Sequence, residues 1–291
     1  MIEEELLERE SEARTQFVVA QFERIGLDIR AYPELFERFR QLHDRESEHF
    51  RDSVQMAEIV DVIWDELEAK LPFKLDKNRL ALTALLHDVG KSGPKEATSE
   101  EQQLIVTLFN SNHYSDIRKT GKRIEDMALI DVLRGSDIEI GLQQRIVNYL
   151  RKLGINFETE KMIDFWRRHA DWTYEILASA RDGIITSELA AAAASHHVLD
   201  GKNPAGLDLK NIPGEAKTIE IIETYEVLTL VDKFQAFIKR GGLNHGEAVQ
   251  VLRQIIDGQS LPEGVKDDYR IILAVIEGSA DKIQKVLKPS L

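Results

Sequence analysis

Apolar residues recur with a period close to 3.6 along almost the whole chain, which is the repeat of an amphipathic α-helix. Alternating runs of Val, Ile and Thr, which would indicate strands, are almost absent. The pattern predicts an all-α fold. Helices separated by joints rich in Gly, Pro or Asn are expected near residues 3–25, 33–41, 45–70, 77–89, 99–109, 124–133, 139–153, 159–180, 186–197, 215–240, 245–257 and 263–287.

A polar pair interrupts the most apolar end of one of these helices. The string Leu85–Lys91 reads Leu-Leu-His-Asp-Val-Gly-Lys, so His87 and Asp88 directly follow an apolar run. Two adjacent polar groups are costly to bury there unless one partner satisfies both, as a metal ion does. The chain has no cysteine, so nitrogen and oxygen ligands are required. This favours iron, manganese or a similar cation.

Helical phase predicts which other polar residues point inward with this pair. His49 and His169 continue the apolar faces of their helices, and His196 and His197 follow an alanine run by three and four residues. Asp232 lies on an apolar stripe, where an unpaired acid would be expensive to bury. A lone inward histidine is more often a hydrogen-bonded core residue, but the set together favours a metal site.

The remaining histidines and Lys91 have other interpretations. His43 lies about 120° from the inward face and is expected on the surface, while His113 and His245 are expected in exposed loops. Lys91 follows the helix stop at Gly90. It could contact a metal-bound phosphate or serve as a cation that complements the helix dipole.

The order of these residues resembles that of the HD superfamily of metal-dependent phosphohydrolases, and of its HD-GYP branch in particular. The resemblance covers most of residues 45–260, and the segment His196–Leu207 is similar to the signature loop of that branch. It implies an HD-domain helical bundle over residues 43–291. A helical insertion is expected at 95–160 and an N-terminal helical extension at 1–42.

The resemblance also implies a site with two divalent metal ions. Asp88 would bridge them and, with Lys91, serve catalysis, while the signature loop would bind substrate through Asp200, Gly201 and Lys202. Arg45 stands where members with three ions carry a glutamate, which favours two. The ligands would be His49, His87 and Asp232 for one ion and His169, His196 and His197 for the other.

The branch typically opens cyclic di-GMP, so the resemblance implies a phosphodiesterase acting on this cyclic dinucleotide. The signature loop carries Lys202-Asn203-Pro204 where Gly-Tyr-Pro is expected, and two alternatives therefore stay open. One is an HD phosphohydrolase for another nucleotide or phosphoester. The other is a signalling module that binds metal or nucleotide without turnover.

Charge and hydropathy limit the partners. With 38 basic and 51 acidic side chains the net charge is −13, which argues against a long nucleic acid but allows a small anionic ligand. The longest apolar stretches, such as Leu189–Ala194, are too short for a membrane span, and the start Met1–Glu5 is acidic, unlike a signal peptide. A cytoplasmic protein is expected, and a homodimer is also allowed.

Overall fold

The computed structural model describes residues 2–43, 49–197, 199 and 215–288. Over these residues the backbone forms α-helices and short 3-10 helices and no β-strand, so the predicted all-α fold is confirmed there. The α-helices are α1 (Ile2–Glu23), α2 (Pro33–Leu42), α3 (His49–Lys70), α4 (Lys77–Leu86), α5 (Ser99–Phe109), α6 (Ser115–Lys119), α7 (Leu129–Gly135), α8 (Ile140–Lys152), α9 (Met162–Ser179), α10 (Ser187–Ala194), α11 (Glu215–Lys239), α12 (His245–Gly258), α13 (Glu263–Gly278) and α14 (Ala280–Leu287).

Several helix ends differ from the pattern-based prediction. The helix expected over 77–89 ends at Leu86, and Val89–Ser92 form a 3-10 helix instead. The helix expected over 263–287 is divided at Ser279, whose N–H bonds back to two carbonyls in the last turn of α13. The segment 124–133 is also divided, because Ala128 is extended and forms an isolated antiparallel bridge.

The chain divides into two compact units. Unit 1 comprises Met1–Glu23, Leu27–Phe50 and Asp88–Ala180, so it contains α1, α2 and the segment predicted as an insertion. Its N-terminal part packs around tilted or stacked rings whose centroids lie 5.0 to 5.9 Å apart, those of Phe22, Phe39 and Phe50. The boundaries expected from the sequence, 1–42 for the extension, 43–291 for the HD domain and 95–160 for the insertion, stay predictions.

Unit 2 comprises Arg24–Gly26, Arg51–His87 and Arg181–Leu291. The side chain of Thr186 caps the start of α10 by accepting a hydrogen bond from the N–H of Leu189. Every residue from Leu189 to Ala194 is buried. This helix packs on α4 and α11. Despite such apolar segments, no helix in the described part of the chain is both long and apolar enough to cross a membrane.

Candidate metal centre

A tight turn, which we call the Asp88–Lys95 turn, carries two of the predicted site residues in unit 1. Its Gly90 N–H donates a hydrogen bond to the Thr173 hydroxyl on α9 at 3.0 Å. A β-carbon on Gly90 would lie only 2.0 Å from the backbone carbonyl oxygen of His169. Only glycine therefore lets the turn approach α9 this closely, and that approach brings Asp88 to His169.

Each oxygen of the Asp88 carboxylate lies close to another buried side chain. Oδ1 lies 3.3 Å from His169 Nε2, and Oδ2 accepts a hydrogen bond from Lys91 Nζ. All three side chains are buried. Of the two interpretations of Lys91, neither included this pairing, so the structure adds a contact that the sequence pattern did not reveal.

A second group of predicted ligands lies in unit 2. The rings of His87 and His196 meet edge to face with centroids 4.8 Å apart, and those of His196 and His197 lie 4.2 Å apart. In both pairs a ligating nitrogen of one ring comes within 4.8 Å of one of the other. Asp232 Oδ1 lies 3.9 Å from His87 Nε2. Each of the three histidines belongs to a group of side chains that could hold a metal ion.

Three of the histidines share one hydrogen-bond pattern. Nδ1 of His87 lies 2.7 Å from the Ala84 carbonyl oxygen, Nδ1 of His196 lies 2.6 Å from that of Ala193, and Nδ1 of His169 contacts that of Trp166. In each case the carbonyl belongs to the residue three positions earlier. A carbonyl can only accept, so Nδ1 donates, and the neutral ring carries its lone pair on Nε2. Metal-ligating histidines are held in this way.

Helix ends explain two of these bonds. His87 follows the last residue of α4, and His196 comes two residues after the end of α10. The last four carbonyls of a helix have no intrahelical partner, so each ring takes one that would otherwise need water or a cap. The signal in the sequence was the position of each residue, with His87 directly after an apolar run and His196 just after an alanine run.

The structure gives less information on the remaining predicted site residues. His49 is half-buried at the start of α3, with its ring edge-on to Phe109 at 6.4 Å, and Phe109 also lies edge-on to His169 at 5.9 Å. Its role as a ligand stays a prediction. The predicted substrate-binding residues Asp200, Gly201 and Lys202 lie outside the described residues.

The three histidines expected to be exposed are instead half-buried. His43 stacks on Phe17 with ring centroids 4.4 Å apart, because it caps α2 rather than extending α3. His113 Nδ1 lies 2.6 Å from an Asp137 carboxylate oxygen. His245 donates from Nε2 to a backbone carbonyl, and burial lowers its pKa.

Comparison with protein families gives one match. Residues 49–134 match the family model described as HD domain, a range that contains His49, His87, Asp88 and Lys91. The match supports the HD superfamily of metal-dependent phosphohydrolases, at the level of the superfamily rather than the HD-GYP branch. Comparison with curated proteins and with solved structures gave no significant match.

Proposed function

We propose that this protein is a metal-dependent phosphodiesterase that opens a cyclic dinucleotide, with cyclic di-GMP as the leading substrate. The observation that carries the proposal is the shared orientation of His87, His169 and His196. Three buried rings each donate from Nδ1 to a backbone carbonyl, which leaves Nε2 as the basic atom in all three. In this tautomer Nε2 is the atom through which each ring would bind a cation.

The donor set fits divalent iron or manganese. Imidazole nitrogens and carboxylate oxygens suit these cations, and the chain has no thiolate that would favour zinc or copper(I). As the resemblance to the HD superfamily implies, His49, His87 and Asp232 would hold one ion, His169, His196 and His197 would hold the other, and Asp88 would serve both. When bound, the two ions would supply the Lewis acid that activates a water and stabilises phosphoryl oxygens.

The chain's own residues have separate tasks in this proposal. Hydrolysis breaks one P–O ester bond, with water supplying hydroxyl to phosphorus and a proton to the leaving oxygen. Lys91 Nζ, held against Asp88, would offset the negative charge that grows on the phosphoryl group. The carbonyl-bound histidines hold their rings in one orientation through this step.

The second candidate is an HD phosphohydrolase for another nucleotide or phosphoester. It is favoured by Lys202-Asn203-Pro204, which replaces the expected Gly-Tyr-Pro in the segment implied to contact the guanine-bearing ligand. The family match at superfamily level is compatible with it. Cytoplasmic location, a homodimer and substrate contacts by Asp200, Gly201 and Lys202 stay predictions.

Metal analysis and product analysis test the proposal together. The purified protein, reconstituted without oxygen with Fe²⁺ or with Mn²⁺, should bind about two ions per chain. It should convert cyclic di-GMP to the linear dinucleotide or GMP, followed by chromatography. The matched variants His196→Gln and His113→Gln should respectively lose and keep metal and activity.

Each other outcome has a defined meaning. Hydrolysis of bis(p-nitrophenyl) phosphate but not of cyclic di-GMP would support the second candidate. Binding of cyclic di-GMP without product, with either metal present, would support a non-catalytic signalling module. A protein that takes up neither metal would contradict every version of the enzyme proposal.

A further inference from the structure

Arg38 on α2 is a buried arginine that the sequence pattern did not single out. Only 3% of the residue is exposed, and its guanidinium donates four hydrogen bonds. All four acceptors are neutral oxygens of consecutive residues in the Asp88–Lys95 turn. They are the Ser92 hydroxyl at 2.9 Å and the carbonyls of Gly93 at 3.2 Å, Pro94 at 2.9 Å and Lys95 at 2.6 Å.

These bonds continue into the part of the turn that carries Lys91. The Ser92 hydroxyl, which accepts from Arg38, itself donates to the Val89 carbonyl at 2.6 Å. The Gly93 N–H donates to the Gly90 carbonyl at 2.9 Å. At Gly93 the backbone has a φ of +93°, which directs the chain back toward the arginine and which other residues rarely adopt. A continuous set of polar contacts therefore runs from α2 to the turn.

The geometry needs an arginine rather than any cation. Two guanidinium nitrogens fixed in one plane reach four oxygens at once, whereas a lysine ammonium is a single point on a flexible stem. Burial lowers the pKa of Arg38 to about 10, so the side chain keeps its charge at neutral pH. A charged, planar donor in this position holds four successive residues in one conformation.

We propose that Arg38 is a positioning residue for the candidate site. It fixes the Asp88–Lys95 turn so that the Asp88 carboxylate and the Lys91 ammonium keep their relation to His169. The consequence for catalysis rests on the proposed function. The consequence for the turn does not, because the hydrogen bonds exist without substrate or metal.

Hydrogen exchange measured by mass spectrometry on the full chain tests the inference directly. In Arg38→Met, amide protection of peptides covering residues 88–95 should fall about tenfold or more, while protection of α2 itself stays unchanged. Arg38→Lys should lose nearly as much, because charge without the planar fork is insufficient. Arg40→Met is the matched control, since Arg40 lies on the same helix and pairs with Glu37.

Chemical rescue separates positioning from general loss of structure. Millimolar methylguanidinium should restore protection of the turn in Arg38→Ala and should not change Arg40→Met. In the reconstituted enzyme, Arg38→Lys should lower kcat about tenfold or more with little change in KM, because the reacting groups are misplaced rather than absent.

The outcomes separate this inference from the proposed function. Unchanged protection at residues 88–95 in Arg38→Lys, or a loss spread equally over α2 and the turn, would overturn it. If Arg38→Met does not fold, Arg38→Lys and the rescue of Arg38→Ala decide. A selective loss of protection in a protein that hydrolyses no phosphodiester would leave the positioning role intact and reject the enzyme proposal.

Discussion

The Asp88–Lys95 turn and the middle of α11 both bury ionisable side chains, and they treat them in opposite ways. In the turn, four oxygens accept hydrogen bonds from Arg38 of α2, and the Asp88 carboxylate accepts one from Lys91. In α11, Glu226 is 1% exposed, and neither of its carboxylate oxygens has a hydrogen-bond partner among the described residues.

The difference shows that burial alone does not decide whether a group is charged. Arg38 remains a cation because four oxygens replace its water, whereas burial, with nearby Asp268 and Glu223, raises the pKa of Glu226 to about 8. Glu226 is therefore mainly neutral at pH 7. The turn is ordered by polar contacts, and α11 is held by apolar packing that tolerates an acid only in its protonated form.

The largest expected effect comes from removing the charge of Asp88, the first residue of the turn. Asp88→Asn keeps the shape of the side chain but removes the carboxylate, so metal content and phosphodiesterase activity should both fall, activity by at least about a hundredfold. Elemental analysis and product chromatography measure the two losses. Asp131→Asn, on the exposed side of α7, is the control, and an equal loss there would contradict the assignment.

The second effect concerns the close approach of the turn to α9. Gly90→Ala should destabilise the protein by about 3 kcal/mol, because the new methyl group would overlap the His169 carbonyl. Urea denaturation measures it. Gly183→Ala, where an added β-carbon meets nothing within 4 Å, should stay within about 0.5 kcal/mol of the parent. Similar costs for both would show that the turn can move away from α9.

The third effect concerns the pH dependence of stability that the buried Glu226 of α11 causes. The neutral carboxyl of Glu226 contributes stability that is fully present below its ordinary pKa of 4.5 and is lost as pH rises through about 8. Its share of the pH dependence in this window approaches at most about 1.4 kcal/mol per pH unit. Glu226→Gln should remove that share in denaturation series from pH 5 to 8. Glu223→Gln should retain most of it, because burial is the main cause.

The smallest effect is the loss of one hydrogen bond. Thr173→Val keeps the volume but leaves the buried Gly90 N–H without its acceptor, at a cost of about 1 kcal/mol or slightly more. Chemical denaturation measures it, with Thr107→Val as the control because that hydroxyl donates only within its own helix. A cost no larger than that of the control would mean that the turn does not depend on this bond.

The helical fold was predictable because its signal is local. Apolar spacing within 10 to 25 residues indicates a helix, and most of the observed helices begin and end within a few residues of the predicted bounds. The close approach of Gly90 to α9 was not predictable, because the two lie some 80 positions apart along the chain. Local propensity carries no information about such a contact.

The same reasoning separates the site residues that the pattern found from those it missed. His87, His169 and His196 carry a visible signal because a histidine on an apolar face is unusual. Arg38 carries none, because a charged residue in an amphipathic helix normally faces water and its acceptors lie 54 to 57 residues away. Residues whose partners are neutral backbone oxygens are the hardest to recognise from sequence.

The five consecutive alanines of α10 have a consequence for the histidines that follow. Ala190–Ala194 are all buried, and alanine has no side-chain rotamers to restrict when it is packed. The packing distance of this run therefore does not depend on any side-chain rotamer of its own. His196 and His197 follow directly after it and Ser195. A shift of these two rings therefore has to come from the backbone, from Ser195, from the side chains packed on α10 or from the rings themselves.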